Sequence, residues 1–526
     1  MSAAAAAPVD LMPLLPAVRT LTAADLDGVV EELAAYHAYF APLFQRRQQR
    51  GWAAVYLRGL LTADVPRKNV EALALRLLGA GPGADRHVRA LQQFVGEGGW
   101  DDAGLLAAHQ RLVDETLGES DGVLIIDGHE TPKQGTHSVG VARQWCGHTG
   151  KQDNCQAGVH LGYASRRGYT LLDRRLYLPA AWFTEAYQER WRACGVPRGT
   201  PFQTKHDLAG DLVEAIMGDR RVRARWVVCD EGYGDSPALL DRWAATGLHY
   251  LAEVARDTQA WPLTAPDGQP TRARPARWVP PRAAGRRGPA PTKERLHPAS
   301  PVPQRADAWA AAVPPARWRR YRILEGSKGP LVAEFVAVRV VAVRDRLPGP
   351  EGWLLVRRTI PPGADVEYKY YLSNAPATAP LGELVRVSGM RWPIEACFAE
   401  GRQELGLDHY EVRSWRGWHH HLTLVLLAHH FLVRLQRRLD PREGGLPTRP
   451  GPAAAGHPAA GAVGRVPAAP AGRAERGRGA RAAARATAAA GVRPGVGAGL
   501  AGVPATPQAG RLSLPPSPPH SPPGRI

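Results

Sequence analysis

Residues 123–127 read VLIID and residues 225–235 read RWVVCDEGYGD, and these two stretches decide the fold. In each stretch a short apolar run, rich in β-branched side chains, leads directly into an acid, Asp127 in the first and Asp230 in the second. Short apolar runs of this kind are typical of buried strands. The pair therefore predicts an α/β fold in which two acids follow two strands of a sheet.

The sequence between and beyond these runs predicts the rest of the sheet. Two strands are predicted over 155–165 and 168–179, with a turn-like Arg-Arg-Gly between them. Apolar residues at helical spacing predict helices over 206–218 and 237–247, and HYLAEV at 249–254 predicts a further strand. Three strands in succession, followed by alternating helices and strands, predict a mixed sheet rather than a purely parallel one.

Changes of composition along the chain predict its domain boundaries. Apolar residues recur three and four positions apart through residues 21–118, whereas residues 262–320 are proline-rich and carry 12 basic against 3 acidic residues. The predicted domains are a helical, DNA-contacting N-terminal domain over 1–118, the first part of the core over 119–257, a basic β-rich insertion over 258–375, the C-terminal helices of the core over 376–440 and a low-complexity tail over 441–526. The basic residues of the N-terminal helices also fit an ordinary solvated face.

The chain of 526 residues is strongly basic, with 67 Lys and Arg against 49 Asp and Glu and a formal net charge of +18. This excess excludes an acidic-surface protein and favours a polyanionic partner such as nucleic acid, although a GC-rich gene also enriches arginine. Five cysteines without a Cys-x-x-Cys pair argue against a disulfide scaffold and a structural zinc site. The lack of a signal-peptide pattern and of a long apolar run predicts a cytoplasmic protein without membrane spans.

Three acids are candidates for a metal site. Asp127 and Asp230 follow strands, which hold side chains rigidly beside an accessible loop, and Glu395 lies in the first turn of a helix predicted over 391–407. Phosphodiester chemistry needs several carboxylates at one place, because Mg²⁺ takes oxygen ligands and keeps waters for the reaction. Aspartates that follow strands are also common as helix caps and turn residues, so the spacing leaves both interpretations open.

Longer stretches around these acids resemble the insertion-sequence transposases of the DDE superfamily, in the group four superfamily and its seven-hundred-and-one branch. Residues 127–179 resemble the first catalytic block of these enzymes, residues 225–235 the second, and residues 391–424 the third, which carries the glutamate. YLRGLL and PRKNVE, within residues 56–71, match the N-terminal region of the group. The blocks occur in the order of the family, and the similarity extends over roughly residues 40–435.

This resemblance implies an RNase H-like fold whose sheet is interrupted by a β-rich insertion before the last acid. Asp127, Asp230 and Glu395 would form the catalytic triad that binds Mg²⁺, with Mn²⁺ able to substitute. The enzyme would cut double-stranded DNA at the terminal inverted repeats of an insertion sequence and join the freed 3′-hydroxyl to target DNA, without a covalent protein–DNA intermediate. A homodimer that holds both DNA ends, at the nucleoid, belongs to the same expectation.

The family signature around the last acid also names DNA-binding candidates. In the wider group a Tyr, an Arg and a Lys flank the glutamate; here Arg391 and Arg402 take the Arg and Lys positions, and Ser388 replaces the Tyr. The offsets from Glu395 place both cations on roughly one helix face, suited to a phosphate, although surface ion pairs explain them equally well. Lys133, in the loop after the first acid, could touch a terminal phosphate or be merely solvated.

Several other residues have both a functional and an ordinary interpretation. Gln144 and Asn154 could line the cleft, but turn hydrogen bonding is the simpler role. In related transposases an aromatic residue of the insertion stacks on an extruded base, whereas core packing explains most tryptophans. The candidates here are Trp278, Trp309 and Trp318. The histidines at 419–421 and 429–430 lie on an apolar helix without a partner cluster, so metal binding is not expected of them.

The family resemblance ends near Leu439. From Gly451 onward the sequence has no Phe, Trp or Tyr and a single acid, and it consists largely of Ala, Gly, Pro and Arg, so disorder is expected. The abrupt change suggests a frameshift, which would make this copy a catalytically inactive or truncated relative that only binds DNA. A nuclease of the same fold without joining activity is a further alternative.

Overall fold

The structure is a computed structural model, and it describes residues 9–10, 25, 27–271, 273–281, 292–324, 330–359 and 365–439. This part of the chain is a mixed α/β fold, as predicted. The tail predicted over 441–526 lies outside the described residues.

Helices occupy the regions where apolar periodicity predicts them, and the described residues form further helices outside those predictions at Gln188–Ala193, Glu231–Gly234, Ala306–Ala311 and Leu381–Ser388. The helices are α1 (Val29–Phe40), α2 (Arg47–Leu60), α3 (Val70–Leu78), α4 (Ala84–Gly96), α5 (Asp102–Leu117), α6 (Gln188–Ala193), α7 (Lys205–Gly218), α8 (Glu231–Gly234), α9 (Pro237–Ala245), α10 (Ala306–Ala311), α11 (Leu381–Ser388), α12 (Trp392–Glu404) and α13 (Trp415–Arg438). Short 3-10 helices lie at Ala41–Leu43, Ala180–Phe183, Glu185–Tyr187 and Pro315–Arg317. No helix in the described ranges has the length and apolar character that a membrane-spanning segment needs.

Most strands belong to one large mixed sheet. The strands are β1 (Val9–Asp10), β2 (Val123–Pro132), β3 (Ala142–Cys146), β4 (Lys151–Ser165), β5 (Gly168–Tyr177), β6 (Trp226–Cys229), β7 (His249–Val254), β8 (Gln259–Pro262), β9 (Arg277–Trp278), β10 (Arg295–Leu296), β11 (Gln304–Arg305), β12 (Arg319–Leu324), β13 (Pro330–Arg344), β14 (Leu347–Thr359) and β15 (Glu367–Ser373). The strand order of the large sheet is β1-β12-β13-β14-β15-β7-β6-β2-β4-β3, with β5 beside β4, β8 beside β13 and β11 beside β8. β2, β6 and β7 run parallel to one another, whereas β4 and β15 flank them antiparallel.

Most strands of the predicted insertion belong to the central sheet, whereas the short strands β9 and β10 pair with each other in a separate two-stranded sheet. β15 pairs with β7, and β14, β13 and β12 follow in turn, each antiparallel to the last. Their pairing satisfies the backbone groups that β7 would otherwise expose at an edge. The region 258–375 therefore extends the central sheet beyond β7.

The apolar run of β2 is continuous because both of its faces are covered. Val123 and Ile125 pack in the core cluster that includes α12, whereas Leu124 and Ile126 pack in a second cluster formed with α7 and α9. Successive side chains of a strand point to opposite faces, so a strand buried on both sides needs an apolar residue at every position. β6 alternates between the same two clusters, with Val228 in the first.

The long helix α13 joins the N-terminal helices to the sheet through buried histidines. The His421 Nδ1 atom lies 2.8 Å from the Tyr56 hydroxyl, and the His420 ring stacks on Trp100 with centroids 3.5 Å apart. His429 hydrogen-bonds Glu400 at 2.9 Å. These contacts give His420, His421 and His429 structural roles in the packing of α13.

Arg174 is expected to contribute strongly to the stability of the fold, because its charged side chain is buried and only 1% exposed. Its Nη2 atom donates to Asp102 of α5 at 2.7 Å and to Thr423 of α13 at 2.6 Å, so one guanidinium of β5 holds two helices. Arg174→Met removes that partner from a half-buried carboxylate, and we expect the free energy of unfolding to fall by about 3 kcal/mol. Urea denaturation measures it. Arg111→Met, an exposed arginine of α5, is the control, and an equal loss in both variants would contradict this role for Arg174.

Candidate active site

Strand pairing brings Asp127 and Asp230 side by side. The parallel register of β2 and β6 ends with Ile126 opposite Cys229, so the next residue on each chain segment is an acid. Neighbouring strands lie about 4.8 Å apart. One detail of the prediction is wrong: β2 does not end at Asp127 but continues to Pro132, because its other edge stays paired with β4.

Both acids point toward the same layer of the molecule. Ile125 and Val228 both pack on the α12 side of the sheet. Asp127 follows Ile125 by two residues, and Asp230 follows Val228 by two residues. Because side chains alternate with a period of two, each acid continues that face. The helix that carries the third acid therefore lies over the other two.

α12 supplies Glu395 and, just before its first residue, Arg391. Pro393 lies in the first turn, where a missing N–H costs nothing, and Glu395 follows it. The Arg391 Nη1 atom lies 3.4 Å from Asp127 Oδ2, and its Nη2 atom donates to Glu395 Oε1. The guanidinium thus bridges two of the three acids.

The three acids line one open cleft with a volume of about 780 Å³. The Glu395 side chain is 50% exposed and the Asp127 side chain 16%, so the cleft opens outward from Asp127. The other lining residues are Gly128, His129, Glu130, Trp145, Gly147, His148, Lys205, His206, Gly232, Tyr233, Phe398 and Arg402. A cleft of this kind leaves the acids accessible to a large substrate.

The acidity of Asp127 is strongly perturbed by its surroundings. Burial raises the pKa of its carboxyl to about 7, against the opposing effect of the Arg391 guanidinium. The nearby carboxylates of Asp230 and Glu395 raise the pKa further. A positive charge that approaches such a carboxyl stabilises its ionised form and lowers its pKa.

Asp230 is held by the short helix that follows it. Its Oδ1 atom accepts from the backbone N–H of Tyr233 at 3.3 Å, which caps α8. α8 lies so close to β7 that a Cβ on Gly234 would lie 1.8 Å from the carbonyl oxygen of Glu253. The glycine of EGYG therefore permits the packing that fixes the position of Asp230.

The sequence profile of the DDE superfamily endonuclease family matches residues 39–330 of the chain. The chain belongs to this family. The match includes Asp127 and Asp230, whereas Glu395 lies beyond it. A comparison with curated proteins gives no match.

The acids of this DDE superfamily endonuclease have the donor chemistry of a divalent-cation site, since carboxylate oxygens are the ligands Mg²⁺ takes. In the described ranges, no group of three His, Cys, Asp or Glu side chains lies close enough together to hold a metal ion. The positive charge between Asp127 and Glu395 comes from Arg391 instead. The Tyr233 hydroxyl, near Asp127 and Asp230, is buried without a hydrogen-bond partner. An unpaired hydroxyl beside two acids fits a site that takes a hydrated cation.

The other predicted DNA-binding residues fall in different places. Arg402 lines the cleft and makes no hydrogen bond or ion pair with any residue that the structure describes. Lys133 does not line the cleft: its ammonium lies 3.7 Å from the centre of the Tyr410 ring, and burial lowers its pKa to about 8. Ser388, at the tyrosine position of the signature, is buried and donates to the Val385 carbonyl.

None of the remaining candidates lines the cleft. Trp309 and Trp318 are buried in the core, and Trp278 belongs to the short strand β9. Asn154, in β4, donates to the carbonyl of Gly135 in the loop after β2, and Gln144, in β3, donates to the carbonyl of Cys155 in the neighbouring strand β4.

Sequence reasoning missed several residues of the cleft in this DDE superfamily endonuclease. Glu130 and Lys205 form an ion pair at 2.9 Å, although they are far apart in the chain. Trp145 and Tyr233 also line the cleft. Tyr233 stands three residues after Asp230 in the EGYG turn, which was a usable signal; the pairing of Glu130 with Lys205 depends on how α7 packs beside β2, and no local pattern shows it.

Proposed function

We propose that the chain is the transposase of an insertion sequence, a Mg²⁺-dependent DNA endonuclease and strand transferase for which Mn²⁺ can substitute. Its substrates are the terminal inverted repeats of its element and the target DNA, bound by a homodimer at the nucleoid. Regions 119–257 and 376–440 form the RNase H-like core, 1–118 the DNA-binding domain and 258–375 the insertion. The family assignment and the position of the three acids at one cleft support this proposal.

The observation that carries the proposal is the meeting of three acids from separate elements at one open cleft. Asp127 belongs to β2, Asp230 follows β6 and Glu395 belongs to α12. An acid cluster of purely structural use would be closed off from solvent, whereas Glu395 is half exposed and the three acids line an open cleft.

The three acids and the arginines Arg391 and Arg402 have different roles in the proposed reaction. A divalent cation held by Asp127, Asp230 and Glu395 would supply the Lewis acidity that phosphodiester cleavage needs. Arg402 offers a free guanidinium, whose planar donors match a phosphate group. Arg391 holds the carboxylates of Asp127 and Glu395 at a fixed separation until substrate and metal enter.

Incubation of the full-length protein with a plasmid that carries the element's ends, in Mg²⁺, tests the proposal. We expect strand breaks with a free 3′-hydroxyl, joined products on target DNA, and no protein bound to the DNA after denaturation. Binding without cutting at any Mg²⁺ or Mn²⁺ concentration would instead identify an inactive DNA-binding relative. Cutting without joining would identify a nuclease.

Arg391 competes with a cation for the carboxylates in the DNA-free protein. Arg391→Gln removes the guanidinium from Asp127 and Glu395, and we expect Mn²⁺ to bind the free protein roughly tenfold more tightly because a repelling charge is gone. Electron paramagnetic resonance of unbound Mn²⁺ measures the affinity. Arg386→Gln, which breaks an ion pair with Asp121 instead, is the control. Weaker Mn²⁺ binding in Arg391→Gln would contradict the competition.

A further inference from the structure

We propose that Trp145, together with Arg143, forms a stacking site for an unpaired DNA base beside the carboxylate cleft. This inference rests on the proposed function, because it takes the substrate of the cleft to be DNA. It assigns a nucleobase, rather than a phosphate, to a specific side chain of β3.

The exposure of Trp145 sets it apart from the other tryptophans. All fifteen tryptophans lie in the described ranges, and Trp145 is the one that is exposed, at 57%. Leaving so large an apolar ring in water forgoes the stabilisation that burial would give. The ring lines the same cleft as Asp127, Asp230 and Glu395, so its free face lies where a substrate strand would pass.

The backbone under Trp145 is fixed although its ring is free. β3 pairs with β4 along its length, and the buried Cys146 that follows accepts the N–H of Gly150 at 2.9 Å in the adjoining turn. The neighbouring Gln144 side chain is tied to the Cys155 carbonyl at 3.0 Å. A rigid platform with one open aromatic face is what base stacking requires.

Arg143 adds a positive charge on the same side of the strand. Exposure alternates along β3, with Arg143 and Trp145 exposed and Gln144 between them partly buried, so the two exposed side chains share a face. Arg143 makes no ion pair with a residue in the described part of the chain. An aromatic ring and a cation two residues apart suit a base and its adjoining phosphate.

The base must be unpaired because stacked duplex bases have no free face. In a duplex the neighbours cover both faces of each base, and an aromatic side chain reaches a base only at a frayed end, a single strand or an extruded nucleotide. The ligand class is therefore a single-stranded or extruded nucleotide next to the cutting site. A contact between two copies of the chain is the rival use of an exposed tryptophan.

Fluorescence anisotropy without divalent cation tests the stacking site independently of cleavage. The probes are a fully paired duplex, the same duplex with an unpaired 2-aminopurine overhang, and that overhang with an abasic position. We expect the wild type to bind the 2-aminopurine overhang about tenfold more tightly than the abasic one and to quench its fluorescence. Trp145→Ala removes this preference, Trp145→Phe keeps most of it, and Tyr39→Ala, which truncates an exposed ring on α1, leaves it unchanged.

The outcomes separate the two proposals. If the wild type binds no DNA, the proposed function fails; if it binds all three probes equally and Trp145→Ala binds like the wild type, only the stacking site is overturned. A loss of oligomeric mass in Trp145→Ala during sedimentation, with the preference for the overhang retained, would overturn the stacking site in favour of a subunit contact. Arg143→Gln is expected to weaken binding to the overhang probes. It is also expected to reduce the number of ions released on DNA binding, measured from the salt dependence of the affinity, by about one.

Discussion

Asp127→Asn, Asp230→Asn and Glu395→Gln are each expected to lower Mg²⁺-dependent DNA cleavage by roughly 10³-fold or more. Each substitution keeps the shape of the side chain and removes one anionic ligand from a site that needs several. Single-turnover cleavage of end-labelled DNA measures the rates. Residual cleavage near the wild-type rate in any of the three variants would show that the acid is not part of the site.

Matched controls separate chemistry from folding. Glu231→Gln neutralises an exposed acid next to Asp230 that does not line the cleft, and its cleavage rate is expected to equal that of the wild type. Asp127→Asn is expected to melt at the same temperature as the wild type or higher, since burial already disfavours the charged form of Asp127. A lowered melting temperature would assign the lost activity to unfolding instead.

Lowering the pH from 7.5 to 5.5 is expected to cost about 4 kcal/mol of unfolding free energy through three buried histidines of α5 and α13 alone. Burial lowers the pKa of His109 to about 4 and of His421 to about 3, and it places the pKa of His430 well below its usual value. Below pH 6.5 the unfolded chain takes up protons at these positions while the folded protein cannot, so stability is complete above pH 6.5 and is lost as the pH falls toward these lowered values.

Denaturant unfolding at a series of pH values measures this effect. His109→Gln keeps a donor for the Leu171 carbonyl but does not titrate, and it is expected to reduce the loss of unfolding free energy between pH 7.5 and 5.5 by about 1.4 kcal/mol. His87→Gln, on the exposed side of α4, is the control with the wild-type dependence. A loss of stability in His109→Gln that equals the wild-type loss over this pH range would contradict the burial of the His109 ring.

The parts of the site that the sequence reveals are those that depend on local pattern. The runs before Asp127 and Asp230 are apolar at every position because both faces of β2 and β6 are covered, and an acid that follows such a run inherits the orientation of the strand. Pro393 likewise marks the start of α12 and so the position of Glu395 in its first turn. Elements of this kind are specified by residues within about ten positions of one another.

The parts that the sequence hides depend on contacts between distant elements. β15 joins β7 although more than a hundred residues separate them, and no local pattern shows that the insertion strands extend the central sheet. The bridge from Arg391 to Asp127 needs the placement of α12 over β2. The exposure of Trp145 follows from the position of β3 at the end of the sheet, since the same residue on an inner strand would be buried.

Oxidative cleavage by bound Fe²⁺ tests the central claim most directly, because radicals formed at a metal site cut the nearby polypeptide. The full-length protein is incubated with Fe²⁺, ascorbate and peroxide, and the fragments are identified by mass spectrometry. The account predicts three groups of cuts, near residues 127, 230 and 395, all suppressed by excess Mg²⁺. Cuts near only one of these acids, or cuts that Mg²⁺ does not suppress, would show that the three carboxylates do not share a divalent cation.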